Sequence, residues 1–164
     1  MTLQTPRFTL SPFKESDWPF FLRLRQDSSI MRFMAEIASE GQIRTLFDNR
    51  LNDDNAFVIR DEQHSSLGDI GLRLSQHNPQ EADVGYSIVP AAQGRGIASE
   101  ALRTLCDFAF SQRDIQALNA WVLAQNHGSV RVLEKSGFAR VQVLEKAYLL
   151  NGEYHDDWVY RLEK

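Results

Sequence analysis

Two glycines, at positions 94 and 96, stand where an apolar segment gives way to a helical pattern. The apolar segment ends at Val89, and the helical pattern begins at Ile97. A strand-to-helix turn of this kind directs the unpaired N–H groups and the positive dipole end of the helix at one small volume. Glycine allows a close approach to an anion because it has no Cβ atom. The residue types and their spacing therefore predict a site for the phosphate or pyrophosphate of a nucleotide-type cofactor.

Three other interpretations of this turn compete with that site. A Walker-type phosphate loop needs Gly-Lys-Ser/Thr, and the chain has Gly96-Ile97-Ala98 instead, which excludes that class. A dinucleotide fingerprint lacks only its third glycine, since Ser99 stands there, but it should open a parallel βαβ unit. In the third interpretation the glycines serve only to make a tight turn, and the glycine pair alone leaves that open.

The elements that position this turn follow a mixed α/β pattern. Short polar loops separate apolar segments at residues 56–59, 68–74 and 83–89, which predicts an antiparallel meander. Apolar pairs recur with a period near four after Ile97, which predicts an amphipathic helix. A further strand is predicted to end at Leu123.

Residues typical of helix ends and turns mark the remaining elements. Asp17 and Ser39 are predicted to cap two N-terminal helices, and Asn126 to start a later one. Gly137 is predicted to end that helix in the left-handed conformation. Asn151-Gly152 is a hairpin signal between two final strands.

Composition narrows the class of protein. The 164 residues include 43% hydrophobic and 24% charged residues, with a formal net charge of −4, as expected for one globular domain over residues 1–164. A nucleic-acid-binding surface normally shows a basic excess, so we expect none. No signal peptide or membrane-spanning run is visible, and the single cysteine, Cys106, is expected to be inert core, so a cytoplasmic location is expected. The four histidines lie far apart and indicate no metal site.

The glycine turn carries a motif of a known family. Gln93-x-x-Gly96-x-Ala98 resembles the acyl-CoA signature of the GNAT acetyltransferase superfamily. Further segments, in the same order, resemble the branch that includes the ribosomal-protein N-terminal acetyltransferases. These are Leu3-x-Thr5-x-Arg7-x-x-Leu10-x-Pro12, Gly68-x-Ile70-Gly71, Asp83-Val84-Gly85-Tyr86, Ala98-Ser99-Glu100-Ala101-Leu102, Asn126-x-x-Ser129-x-x-x-x-Glu134-Lys135-x-Gly137-Phe138 and Gly152-x-Tyr154-x-Asp156-x-x-x-Tyr160. On these matches the chain is identified as a member of the family over nearly its whole length.

The resemblance implies a GNAT-like α/β (α+β) domain with a mixed, mostly antiparallel sheet of about seven strands and about four helices. Two parallel strands, ending near Val89 and Leu123, are expected to splay apart and hold the pantetheine arm of acetyl-CoA. Backbone N–H groups from Gln93 to Ala98 are expected to bind the pyrophosphate. The residues implied to bind the cosubstrate are Ile88, Val89, Gln93, Gly94, Arg95, Gly96, Ile97, Ala98, Asn126 and Ser129.

The resemblance also implies how the reaction proceeds. A primary amine is expected to attack the thioester directly, with the oxyanion facing a backbone N–H near Ile88. Phe33, Met34 and Tyr86 are implied to contact the acceptor. No metal is implied, and homodimers are frequent among relatives.

The groups that move protons are less clear. Asp83 stands where some relatives carry a glutamate base, although a surface carboxylate at the strand edge is the alternative, and Glu81 is a weaker candidate. Leu133 occupies the position of the family's tyrosine acid, so the general acid is unassigned. Tyr148 and Tyr154 are candidate substitutes for it.

These assignments bear on the acceptor. Deprotonation at pH 7 costs about 4–5 kcal/mol for a lysine-type amine but about 1 kcal/mol for an α-amino group. Weak base assistance therefore favours a protein N-terminal α-amino group. A small-molecule amine or polyamine, and a catalytically impaired CoA-binding regulatory domain, are the alternatives. The pair Asp156-Asp157 is interpreted as polarity at a strand end.

Overall fold

Eight strands form one mixed sheet, and five α-helices cover its two faces, in a computed structural model that describes residues 1–164. The strands are β1 Leu3–Gln4, β2 Thr9–Pro12, β3 Ala56–Arg60, β4 Ser66–Leu74, β5 Glu81–Ile88, β6 Ala117–Leu123, β7 Ala139–Leu150 and β8 Glu153–Glu163. The helices are α1 Trp18–Gln26, α2 Ser28–Met31, α3 Glu40–Leu51, α4 Ile97–Gln112 and α5 His127–Lys135. None of these helices has the length and apolar character needed to cross a membrane.

The strand order is β1-β2-β3-β4-β5-β6-β8-β7, and every neighbouring pair is antiparallel except β5–β6. This confirms the predicted meander and the mixed, mostly antiparallel sheet. The expected counts of strands and helices were each one too low. The elements that account for the difference are β1, with two residues, and α2, with four. Segments this short span only about one period of either pattern, so hydrophobic periodicity does not reveal them.

The sheet has a large core on one side and a small one on the other. On the face covered by α4 and α5, Ile70 and Val84 belong to a cluster of 26 buried residues. On the face covered by α1 and α3, Val58 packs with Phe21 and Phe47 in a cluster of eight. Below, these are called the α4/α5 face and the α1/α3 face. Because strand side chains alternate between faces, β3 contributes Phe57 and Ile59 to the large core and Ala56 and Val58 to the small one.

The predicted helix starts are partly confirmed. Ser39 caps α3 by accepting the Gln42 N–H at 3.2 Å, as expected. Asp17 precedes α1, but its side chain makes no cap hydrogen bond, so that prediction was wrong. Its carboxylate instead pairs with Arg60 of β3 at 2.8 Å and accepts the Lys14 N–H. A buried carboxylate needs a cation more than a helix end needs a cap, and Asp17 is buried.

The parallel strands β5 and β6 pair over a short stretch only. Glu81 to Asp83 lie beside Ala117 to Asn119, and no pairing follows. Each strand continues along its other neighbour, β5 to Ile88 against β4 and β6 to Leu123 against β8. The two halves of the sheet therefore diverge, as the resemblance implied.

Candidate active site

The divergence of β5 and β6 opens a cleft of about 240 Å³. Fourteen residues line it, ten of them hydrophobic, and they come from both faces of the sheet. Tyr86, Ser129 and Leu133 lie on the α4/α5 side, while Phe33 and Met34 follow α2 on the other side. A narrow, mostly apolar passage of this kind suits an extended, uncharged chain with polar ends.

The glycine turn presents a row of free backbone donors at one end of β5. The N–H groups of residues 94–99 donate to no backbone acceptor. Gly94 and Gly96 have left-handed φ angles of 77° and 74°, and α4 begins directly after Gly96. Unpaired donors at the start of a sixteen-residue helix are the arrangement by which helices bind anions. Gly94, Arg95, Gly96, Ile97 and Ala98 thus have free N–H groups, and their binding of a pyrophosphate stays a prediction.

The Gln93 N–H was expected to be one of the free donors for the pyrophosphate, but it is already bonded within the turn. Its N–H donates to the Pro90 carbonyl at 3.2 Å, since residues 90–92 form a 3-10 turn. Its side-chain Nε2 donates to the Ile88 carbonyl at 3.1 Å. Gln93 therefore fastens the turn to the end of β5, and its N–H is not among the free donors.

The end of β5 presents only one of the two residues expected to hold the cosubstrate arm. The Val89 N–H donates to the Leu67 carbonyl at 2.9 Å, and the Val89 carbonyl accepts from Ala92 at 3.0 Å. Both main-chain groups of Val89 are thus engaged within the protein. Alternate residues of an antiparallel strand bond to the same neighbour, so the Ile88 N–H faces away from β4 and toward the side on which β6 diverges.

A cluster around Glu100 braces the turn from behind. The Glu100 carboxylate accepts from the Thr5 hydroxyl at 2.6 Å and from the Arg7 N–H and Nε at 2.7 and 2.8 Å. Arg7 also donates to the Arg95 carbonyl at 2.9 Å. Burial alone would raise the pKa of Glu100, but the hydrogen bonds from Thr5 and Arg7 outweigh it and lower the pKa. The sequence indicated Thr5 and Arg7 only as matched motif positions, because the fold is what brings them to α4.

Two hydroxyl groups, those of Tyr86 and Ser129, lie together in the cleft near Leu133, which occupies the position of the family's tyrosine acid. The Tyr86 hydroxyl is 2.7 Å from Ser129 Oγ. Burial raises the pKa of Tyr86 to about 12, so the phenol stays protonated near neutral pH. Leu133 lines the same cleft. Asn126 also lines it and caps α5 by accepting the Ser129 N–H at 3.3 Å, which confirms it as the helix start.

Only one of three carboxylates that could serve as the base lies in the cleft. Asp83 pairs with Arg73 at 3.1 Å beside the paired part of β6, and it does not line the cleft. Glu81 accepts from Arg161 and Asn119, which lowers its pKa and makes it a weaker base. Asp157 of β8 lines the cleft, and burial raises its pKa. The catalytic role of Asp83 stays a prediction.

Sequence reasoning missed Asp157, which it interpreted as strand-end polarity. The structure places Asp157 opposite Leu123 at the end of β6. Its neighbour Asp156 instead accepts the Lys146 N–H at 2.9 Å. Period-two alternation separates the two side chains onto opposite faces. That signal is present in the sequence, but it points to the cleft only once β8 is known to pair with β6.

The segment after α2 forms the outer wall of the cleft. Phe33 and Met34 line it, as predicted, and the Tyr148 hydroxyl donates to the Met34 carbonyl at 2.5 Å. A second cavity of about 280 Å³ shares Phe33 and includes Arg32 and Glu153. Tyr154, the other candidate acid, is 64% exposed and lines neither cavity.

Cys106 behaves as expected for a core thiol. It is buried in the larger core, and burial raises its pKa to about 12. A thiol that stays protonated is a poor nucleophile. No three His, Cys, Asp or Glu side chains come close enough together to hold a metal ion.

Known proteins share both the sequence pattern and the fold. The family described as "Acetyltransferase (GNAT) domain" matches residues 7–139. YjcK, a probable N-acetyltransferase of Bacillus subtilis, is 32% identical over 126 residues, which are 73% of this chain and 70% of that protein.

Two solved structures share the fold at low sequence identity. Spermidine N-acetyltransferase from Vibrio cholerae, in complex with CoA and spermine, has a TM-score of 0.86 at 22% identity and covers 96% of this chain and 95% of its own. The ribosomal L7/L12 α-N-protein acetyltransferase RimL, in complex with coenzyme A, has a TM-score of 0.86 at 20% identity. The match covers 99% of this chain and 98% of the RimL chain. The matched domain and the B. subtilis relative identify this chain as an N-acetyltransferase that belongs to the GNAT family.

Proposed function

We propose that this protein, as one domain over residues 1–164, transfers the acetyl group of acetyl-CoA to the α-amino group of a polypeptide N-terminus. The observation that carries the use of acetyl-CoA is the row of free N–H groups at residues 94–99, at the end of the strand that borders the cleft. A pyrophosphate on these donors leaves its uncharged arm to enter the mostly apolar cleft.

The residues of the cleft each support one part of the transfer. The Ile88 N–H donates to the thioester oxygen and stabilises the charge that develops there when the amine attacks. Tyr86 and Ser129 provide hydroxyl donors for the departing thiolate in place of the missing tyrosine. Alkyl thiols have a pKa near ~8.5, so full protonation is not required for the thiolate to leave.

The charges of the site favour an acceptor with a single amine. Asp157 is the one carboxylate of the cleft, and no Lys, Arg or His lines it. A polyamine presents several ammonium groups, each of which needs an anionic or polar partner when it leaves water. The second cavity adds Glu153 but also Arg32, whose charge repels a second ammonium group. A peptide beginning with a free α-amino group matches one carboxylate and a largely apolar wall.

The experiment measures free thiol released from acetyl-CoA in the presence of different amines. The panel contains short peptides with free N-termini, the same peptides with blocked N-termini, Nα-blocked lysine, spermidine and spermine. We expect thiol release with the free peptides only, and mass spectrometry should place the acetyl group on the α-nitrogen.

Each alternative has its own outcome in this panel. Faster release with spermidine or spermine would assign the enzyme to polyamines, and faster release with Nα-blocked lysine would assign it to lysine side chains. Binding of acetyl-CoA without thiol release for any amine would indicate the regulatory domain instead.

A further inference from the structure

A carboxylate without a partner stands in the cleft. Asp157 lines the space between β5 and β6, and it lies opposite Leu123 on β6 and Leu144 on β7. It is half-buried, and no hydrogen bond or nearby charge contributes to the upward shift of its pKa, which burial alone causes. A carboxylate that loses water without gaining a partner destabilises the fold, so its presence calls for an explanation.

The surroundings of Asp157 offer it no cation. From β6 the cleft is lined by Trp121 and Leu123, and from the segment after α2 by Phe33 and Met34, none of them charged. The titratable groups that share the cleft are the phenols Tyr86 on β5 and Tyr148 on β7. The natural partner of this carboxylate is therefore a cation that arrives from outside.

We propose that Asp157 binds the ammonium group of the acceptor and removes its proton before attack. This inference rests on the proposed function, since it assigns the base for that reaction. It differs from the prediction that the base is Asp83, which is already paired with Arg73.

The step balances with the groups named. One ammonium proton passes to the Asp157 carboxylate, and the freed lone pair of the nitrogen forms the C–N bond at the thioester carbonyl carbon. The C–S bond breaks, and its electron pair leaves on the CoA sulfur. The nitrogen then loses a second proton as the sulfur gains one, and Asp157 returns its proton to solvent. The ammonium ion and acetyl-CoA thus give the acetamide, CoA thiol and one free proton.

The test compares Asp157→Asn with the adjacent control Asp156→Asn. Asparagine has nearly the same shape as aspartate but cannot accept the proton, and general base catalysis contributes about 10²–10⁴-fold. We expect kcat/KM for the amine to fall at least about 100-fold in Asp157→Asn, with the KM for acetyl-CoA unchanged. In Asp156→Asn the Oδ1 atom still accepts the Lys146 N–H, so wild-type kinetics are expected.

Dependence on pH separates a base from a binding group. An α-amino group with a pKa near ~8 deprotonates unaided above that pH, so the deficit of Asp157→Asn should shrink as pH rises from 6 to 9. Asp157→Glu keeps a base on a longer arm and should retain more activity than Asp157→Asn.

Stability separates catalysis from a structural role. Because burial raises the folded-state pKa of Asp157, its charged form destabilises the fold, and this penalty is present at pH values above the folded pKa. Asp157→Asn should therefore leave Tm at pH 7 unchanged or raise it, whereas loss of a structural contact would lower it.

The outcomes distinguish this proposal from the function on which it rests. Full amine kcat/KM in Asp157→Asn would overturn the proposal while leaving the acetyl transfer intact, as would a pH-independent deficit equal to that of Asp157→Glu. The same loss in Asp83→Asn, with Asp157→Asn active, would assign the base to Asp83. Absence of acetyl transfer by the wild-type enzyme would instead contradict the proposed function.

Discussion

At the scale of single residues, the backbone angle of Gly96 determines which N–H groups stay free at the start of α4. Its φ of 74° is a conformation that residues with a Cβ rarely adopt, and it turns the chain so that α4 begins with its donors free. A Cβ at this position would also lie 3.4 Å from the Arg7 guanidinium. The glycine is required for the conformation rather than for lack of space.

Gly96→Ala should weaken acetyl-CoA binding about tenfold, because left-handed backbone costs an L-residue roughly 1–2 kcal/mol and the loop relieves that strain by moving its donors. Isothermal titration with acetyl-CoA measures the loss. Gly41→Ala is the matched control, since a Cβ there meets nothing within 4 Å and its φ is ordinary. Unchanged affinity in Gly96→Ala would show that the anion site lies elsewhere.

Single residues of the site were predictable where local chemistry decides their role. The free donors after Gly94 follow from a glycine turn before a helix, and the Asn126 cap follows from its side chain. The engaged main chain of Val89 and the cleft position of Asp157 were not predictable, because both depend on partners in other strands.

At the scale of elements, α4 is held by the N-terminal strands as well as by its core face. Glu100 in its first turn accepts three donors from Thr5 and Arg7, which lie between β1 and β2. A carboxylate so close to the proposed pyrophosphate site would repel a phosphate if its charge were not compensated. Arg7 compensates it and also fixes the Arg95 carbonyl.

Arg7→Met should lower acetyl-CoA affinity several-fold, with a loss of stability of at most about 1 kcal/mol, because the Arg7 side chain is half exposed and exposed ion pairs contribute little. Titration of acetyl-CoA and urea unfolding measure the two effects. Glu100→Gln together with Arg7→Met should restore affinity, and failure of that rescue would contradict charge compensation.

The lowered pKa of Glu100 sets a direction for pH dependence. A carboxyl group whose folded pKa lies below its unfolded value contributes stability that is present above the unfolded pKa and is lost as pH falls through the folded pKa. Glu100→Gln should therefore make Tm less dependent on pH in the range below about 4.5. If the slope of Tm against pH were the same in Glu100→Gln and in the wild type, the contacts of Glu100 with Thr5 and Arg7 would not favour its ionised form.

Elements were predicted well where one segment carries its own pattern. The Ser39 cap of α3 and the Asn151-Gly152 turn, with φ angles of 52° and 81°, are local features that were predicted from the sequence. The position of β8 between β6 and β7 could not be predicted in this way, because either strand of a hairpin can pair with the rest of the sheet. The parallel pair was expected from family resemblance, not from hydrophobic periodicity.

At the scale of the whole molecule, buried ion pairs connect α1 and the turn before it to the sheet. Arg25 of α1 donates to Asp69 of β4 at 2.8 Å, and both side chains are no more than 10% exposed. Asp17 and Arg60 form a second such pair. Asp69 Oδ1 accepts no hydrogen bond, so its charge depends on its cationic neighbours.

Arg25→Met should destabilise the protein by about 3–5 kcal/mol, because it leaves Asp69 charged and buried without its partner. The double variant Arg25→Met/Asp69→Leu should recover much of that loss. Urea unfolding of the two variants and the wild type measures the difference. Equal stability of the single and double variants would show that the ion pair, rather than the stranded charge, determines the cost.

The three-residue pairing of β5 and β6 has a consequence for how the molecule opens. Past Asp83 and Asn119 the two facing strand edges do not bond to each other, although the Ile88 carbonyl accepts from Gln93 and the Leu123 carbonyl accepts from Asn126. Strand edges with so few hydrogen bonds between them separate locally at a low cost in free energy. We therefore expect a ligand that bonds to both edges to couple the two half-sheets more tightly than the three paired residues do alone.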